Sequence, residues 1–113
     1  MTEVQRMPDG LRLAGVVDVR SVGDVRAALE SIVQATGDAT RAELRLDMSR
    51  VAAVDAAALA LLVATHRRVA ATGGRLVLDQ VGPSLARLLA VTRVNRVLDV
   101  RRSPSAHRAS PAA

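Results

Sequence analysis

Two periodicities divide this chain. Apolar residues alternate with polar ones in some segments and recur every three or four positions in others. The first pattern is that of a strand with one buried face, the second that of an amphipathic helix. Thr2 to Met7 and Leu11 to Val17 read as strands, and Pro8-Asp9-Gly10 between them is a turn signal that makes the pair a hairpin. Ser21-Val22-Gly23-Asp24 resembles a capping box with Asp in the acidic place. Val22, Val25, Leu29, Ile32 and Val33 follow at helical spacing, with Arg26 and Glu30 four apart on another face and Gly37 as the stop.

Glu43 to Met48 alternates and predicts a strand. Asp55 then heads a helix through Leu59, Leu62, Val63 and Val69 that stops at Gly73-Gly74. Arg75 to Asp79 predicts another strand. Gly82-Pro83-Ser84 opens a short helix carrying Leu85, Leu88 and Leu89, with Pro83 suited to the first turn. A last short strand is expected at Arg96 to Asp99. Residues 101–113, rich in Ser, Pro, Ala and Arg, are expected to form a disordered basic tail after a domain spanning 1–100. The order β-β-α-β-α-β-α-β predicts an α/β sandwich: a mixed, mainly parallel sheet of four or five strands with helices mainly on one face.

Composition narrows the chemistry. The 113 residues suit one domain, and the hydrophobic half of them includes no Phe, Trp or Tyr. The core is therefore aliphatic, and the aromatic platforms on which single-stranded nucleic acids stack are missing. The absence of Cys excludes disulfides, thiol nucleophiles and Cys-ligated metals. All 16 basic side chains are Arg, which excludes Schiff-base and P-loop lysines. Of the net charge of +5, residues 1–100 hold +2 and residues 101–113 hold +3. The folded part is nearly balanced, and binding of nucleic acid is not expected. The first thirty residues contain no continuous apolar signal segment, and the apolar run Ala56 to Ala64 is too short to span a bilayer. The expected location is the cytoplasm.

No catalytic constellation emerges. His66 lies on the second helix near its apolar face, and His107 lies in the tail. Asp47, Asp55 and Asp79 sit at strand ends and a helix start without a third convergent ligand, which reads as solvated carboxylates rather than a metal site. No enzyme, cofactor or metal is expected. One stretch is richer: a strand delivers Asp47 and Ser49 to one end of the sheet, and a short loop sets Asp55 at a helix start. Asp there can accept hydrogen bonds from the free amides of Ala57 or Ala58.

The run from Asp47 to Leu62, DMSRVAAVDAAALALL, resembles the central motif of the STAS domains, the anti-sigma factor antagonist family, in which a strand ending D-x-S precedes D-S-S-G-L-G. Leu13-Ala14-Gly15-Val16-Val17-Asp18 resembles the family's L-x-G-x-x-D. The stretches Ala70 to Leu78, Gly82 to Leu89 and Val94 to Leu98 resemble its later segments, so the likeness covers about residues 9–100. It implies a bacterial transcription regulator that binds a protein partner such as an anti-sigma factor kinase, through Asp18, Asp47, Ser49, Asp55, Ala56, Ala57, Ala58 and Leu59. In the family, phosphorylation of the second Ser of D-S-S-G breaks that complex by adding charge and bulk at the docking surface. Here that position is Ala57, which has no hydroxyl, and the flanking Ser and Gly positions are Ala56, Ala58 and Ala60. A second role open to such a domain is as the STAS subunit of a lipid-transport ABC complex or a larger signalling assembly.

Overall fold

The computed structural model describes residues 2–36 and 43–103. Strands β1 (Thr2–Met7) and β2 (Gly10–Val17) form the expected hairpin. They are followed by α1 (Val22–Thr36), β3 (Glu43–Val54), α2 (Ala56–Ala71), β4 (Arg75–Val81), α3 (Pro83–Val91), a single 3-10 turn at Val94–Arg96, and β5 (Asp99–Arg102). The five strands pair in sequence order, β1 antiparallel to β2 and every later neighbour parallel. Each parallel step moves to the next strand on the same side, so right-handed crossovers place all three helices on one face.

That arrangement explains the alternation along the strands. Leu11, Leu13, Leu44, Leu46, Met48, Leu76 and Leu78 face the helices and are buried with Val25, Leu29, Ile32, Leu61, Leu62, Val69 and Leu89. The alternate positions lie on the open face, where charges pair across strands. Arg12 reaches Asp47 at 3.1 Å, Arg45 reaches Asp79 at 3.2 Å and Glu43 at 3.0 Å, and Arg75 reaches Asp99 at 3.2 Å. Val77 on this face is fully buried, flanked in register by Arg45 and Asp99.

Three elements differ from expectation. β3 continues six residues beyond Met48, to Val54, alongside β2 up to the pair Val17–Val54. Two register shifts, between Arg12 and Ala14 and between Gly15 and Val16, break the alternation there, and Gly15 takes a φ of 84° that favours glycine. β4 likewise runs to Val81, past a shift at Gln80, whose φ is 57°. The last strand is Asp99–Arg102 rather than Arg96–Asp99, because Arg93 turns left-handed (φ 62°) and the chain coils through the 3-10 turn first. Arg101 and Arg102, expected in the tail, thus belong to the sheet, and Arg101 pairs with Asp99 and Glu43. The rest of the expected tail, residues 104–113 with His107, lies outside the described residues, as does Gly37.

Gly10 shows why the hairpin must enter the sheet without a side chain. A β-carbon there would collide with the backbone of Arg45, whose N–H donates to the Asp9 carbonyl at 3.0 Å. We expect Gly10→Ala to cost about 1–3 kcal/mol, the range for forced overpacking. Urea unfolding followed by far-UV circular dichroism measures it, and an unchanged midpoint refutes it.

Asp47 supplies a pH prediction. Burial, the largest influence, pushes its carboxyl up, but the Ser49 hydrogen bonds and the Arg12 pair more than reverse this and hold it below the ordinary value of 3.8. A depressed carboxyl contributes stability above its unfolded pKa and loses it as pH falls towards the folded value. Wild type should therefore exceed Asp47→Asn in stability at neutral pH, and the gap should close below about pH 4. A gap that stays constant with pH would show that the Asp47 charge contributes nothing.

Candidate functional site

The start of α2 is fixed by one carboxylate. Asp55 has extended backbone (φ −107°, ψ −177°), and its Oδ1 accepts the Ala58 N–H at 2.9 Å. Its Oδ2 accepts the N–H of Val19, in the β2–α1 turn, at 2.9 Å. Its own N–H donates to the Val17 carbonyl at 3.2 Å, and its carbonyl accepts the Leu59 N–H at 3.0 Å. One side chain thus caps a helix and pins a loop from another crossover, and both its oxygens are in use.

Asp18 builds that loop. Its Oδ1 accepts the Arg20 N–H at 3.0 Å, and its carbonyl accepts the N–H groups of Ser21 and Val22, each at 3.0 Å. The Ser21 hydroxyl turns back onto Asp18, accepting its N–H at 3.1 Å and donating to its carbonyl at 3.2 Å. That bonding takes the place of the capping box expected with Asp24. Val19 stands outward from the loop, 71% exposed.

The residues singled out in the sequence divide into three sets. Asp18, Asp55, Ala56 and Ala57 gather around the helix start, with Ala56 exposed and Ala57 half-buried. Ala58 is buried and Leu59 packs against the core, so both support the helix start from within. Asp47 stands apart in the open-face ion pair with Arg12, and its Oδ1 accepts the Ser49 N–H at 2.9 Å. Ser49 is exposed and lines a groove of about 450 Å³ that runs to Val54, beside Asp55.

The groove's far wall comes from Gln80 and from Pro83, Leu85 and Leu88 of α3. Sequence reasoning missed this wall, since no local pattern tells which helix will face a strand end. The Gly82-Pro83 helix start was its one available signal. Among the described residues, no group of three His, Cys, Asp or Glu side chains is placed to hold a metal ion. His66 is half-buried on α2, and its Nδ1 has no hydrogen-bond partner among the described residues. No helix among the described residues is long and apolar enough to cross a membrane.

Comparison with known proteins gives a consistent picture. No curated protein sequence matches the chain. Among solved structures, it is similar to a protein from Thermotoga maritima described as an anti-sigma factor antagonist, with TM-score 0.72 and 15% identity over 96% of this chain and 92% of that one. It is similar to the Bacillus cell fate determinant SpoIIAA in its phosphorylated form, with TM-score 0.62 and 15% identity over 97% and 99% of the two chains. It is also similar to part of the murine anion transporter Slc26a9, with TM-score 0.63 and 19% identity over 96% of this chain and 19% of the transporter. At these identities the likeness establishes the fold. A family model described as "Mlab, STAS domain" matches residues 1–99. With that model covering almost the whole described chain, on a five-stranded sheet backed by three helices, the chain belongs to the STAS-domain family.

Proposed function

We propose that this chain is a regulatory binding module of the anti-sigma factor antagonist type, without enzymatic activity, that docks a protein partner at the α2 start and is not switched by phosphorylation there. The observation that carries the reading is Ala57. It occupies the family's phosphoserine position in the first turn of a helix whose start Asp55 holds in place, and it has no hydroxyl. The docking surface comprises Asp18, Val19, Ala56 and Ala57, with Ser49 and the groove edge beside it. Small side chains at 56 and 57 let a partner approach the helix closely, and the absence of a phosphate removes the repulsion that would end the contact.

A second reading, as the STAS subunit of a lipid-transport ABC complex or larger assembly, is favoured by the description of the matching family model and by the likeness to part of an anion transporter. In that reading the same helix start packs against a helix of another subunit.

Binding of the purified chain to the host's anti-sigma factor kinases, with ATP and with ADP, separates the two readings. The antagonist reading expects a complex that ATP does not dissolve, whereas Ala57→Ser is phosphorylated and released, with affinity falling at least tenfold. If neither protein binds any such kinase, and the chain instead co-purifies with transporter subunits, the second reading replaces the first.

A further inference from the structure

The surface farthest in character from the α2 start is the corner where α3 ends. From Gln80 to Leu98 the chain carries Arg87, Arg93 and Arg96 and no acidic residue. All three arginines are exposed, and none forms an ion pair among the described residues. Those of the open sheet face behave oppositely: Arg12, Arg45, Arg75 and Arg101 are each matched by a carboxylate. The corner also exposes apolar side chains, Val91 at 75% and Val97 at 42%.

Local geometry assembles these groups. Arg87 and Val91 are four apart on α3 and so share a helix face. The left-handed Arg93 then turns the chain, the Arg96 N–H donates to the Arg93 carbonyl at 3.1 Å, and the Val97 N–H donates to the Val94 carbonyl at 3.0 Å. Val94 alone points inward, packing against the core. Every other residue from Ala90 to Val97 is exposed.

We propose that this corner docks on an anionic lipid bilayer. Unpaired guanidinium groups seek surface phosphates, and apolar side chains set among them suit the boundary between headgroups and acyl chains. A nucleic-acid backbone would use the arginines but offers nothing to two protruding valines. The contact is peripheral, and it leaves the α2 start free for a protein partner. It does not rest on the function proposed above.

The test is co-sedimentation of the full chain with vesicles of equal parts phosphatidylglycerol and phosphatidylcholine, with pure phosphatidylcholine vesicles and a short DNA duplex as other arms. Binding is expected to the anionic vesicles alone, and it should collapse near 1 M salt, where the screening length is about 3 Å. Each arginine near such a surface multiplies partitioning about fivefold. The triple variant Arg87→Glu, Arg93→Asn, Arg96→Glu should therefore lose about a hundredfold or more, with Asn chosen because it tolerates the left-handed backbone. The variant Val91→Ser, Val97→Ser should bind severalfold more weakly. Arg67→Glu, at an exposed arginine of α2, should lose no more than about fivefold. Far-UV circular dichroism verifies that the variants fold. Absence of vesicle binding, retention on DNA but not on vesicles, unchanged binding by either multiple variant, or an equal loss in Arg67→Glu overturns the proposal.

Discussion

The Asp55 carboxylate is the contact on which the geometry of the candidate site depends. There the turn after β2, 36 residues earlier in the chain, meets the junction between the end of β3 and the first turn of α2. A carboxylate accepts from amides more strongly than a neutral group does, and at a helix N-terminus it also meets the positive end of the helix dipole. Each bond is worth about 1 kcal/mol, which is modest. Its importance is positional. Each oxygen holds one N–H, and through these two bonds Asp55 fixes Val19 on one side and the alanines of α2 on the other.

A second constraint comes from strand order. A sheet that adds each new strand on the same side, with right-handed crossovers, collects its helices on one face and leaves the other uncovered. An uncovered apolar sheet face would aggregate, and here alternate strand positions carry charges instead. The pairs match across neighbouring strands, so the face is polar yet close to neutral, and even the buried Val77 is flanked by charged residues. Such a face gives a partner little net attraction. The unbalanced features lie at the ends of the strands, in the apolar helix start and in the basic corner beyond α3.

What could be read from the sequence follows the range of the interactions involved. β2, α1 and the body of α2 were legible because burial on one face imposes its period on consecutive residues. Asp55 as a cap was legible because its bond to Ala58 spans three residues. Its bond to Val19 spans 36 residues and has no local signature. The extension of β3 was hidden because two bulges shift its register against β2 beyond Asp47, so the alternation that marks a strand stops there. The last strand was displaced because Val94, Val97 and Leu98 supply apolar residues that serve a left-handed turn and a 3-10 turn instead, of which only Val94 and Leu98 reach the core. For the site, the helix start could be named residue by residue, whereas the groove wall from α3 could not, since it depends on how helices settle over strand ends.

On the resemblance to the family motif, Ala56, Ala57, Ala58 and Ala60 stand where that motif has Ser and Gly. Ser and Gly at a helix start cost helix propensity, up to about 1 kcal/mol for each Gly, and Ala removes that cost. On the reading proposed above, Ala57 in place of the family serine favours the helix while it offers no phosphate acceptor. Helix formation does not need the Asp55 bond to Val19: a cap bond to Ala58 alone would start α2. The chain keeps both bonds at 2.9 Å. The α2 start is thus held against a second loop with an exposed valine at its tip. On the reading proposed above, this positioning beside a residue without a hydroxyl suits a docking surface that phosphorylation does not switch.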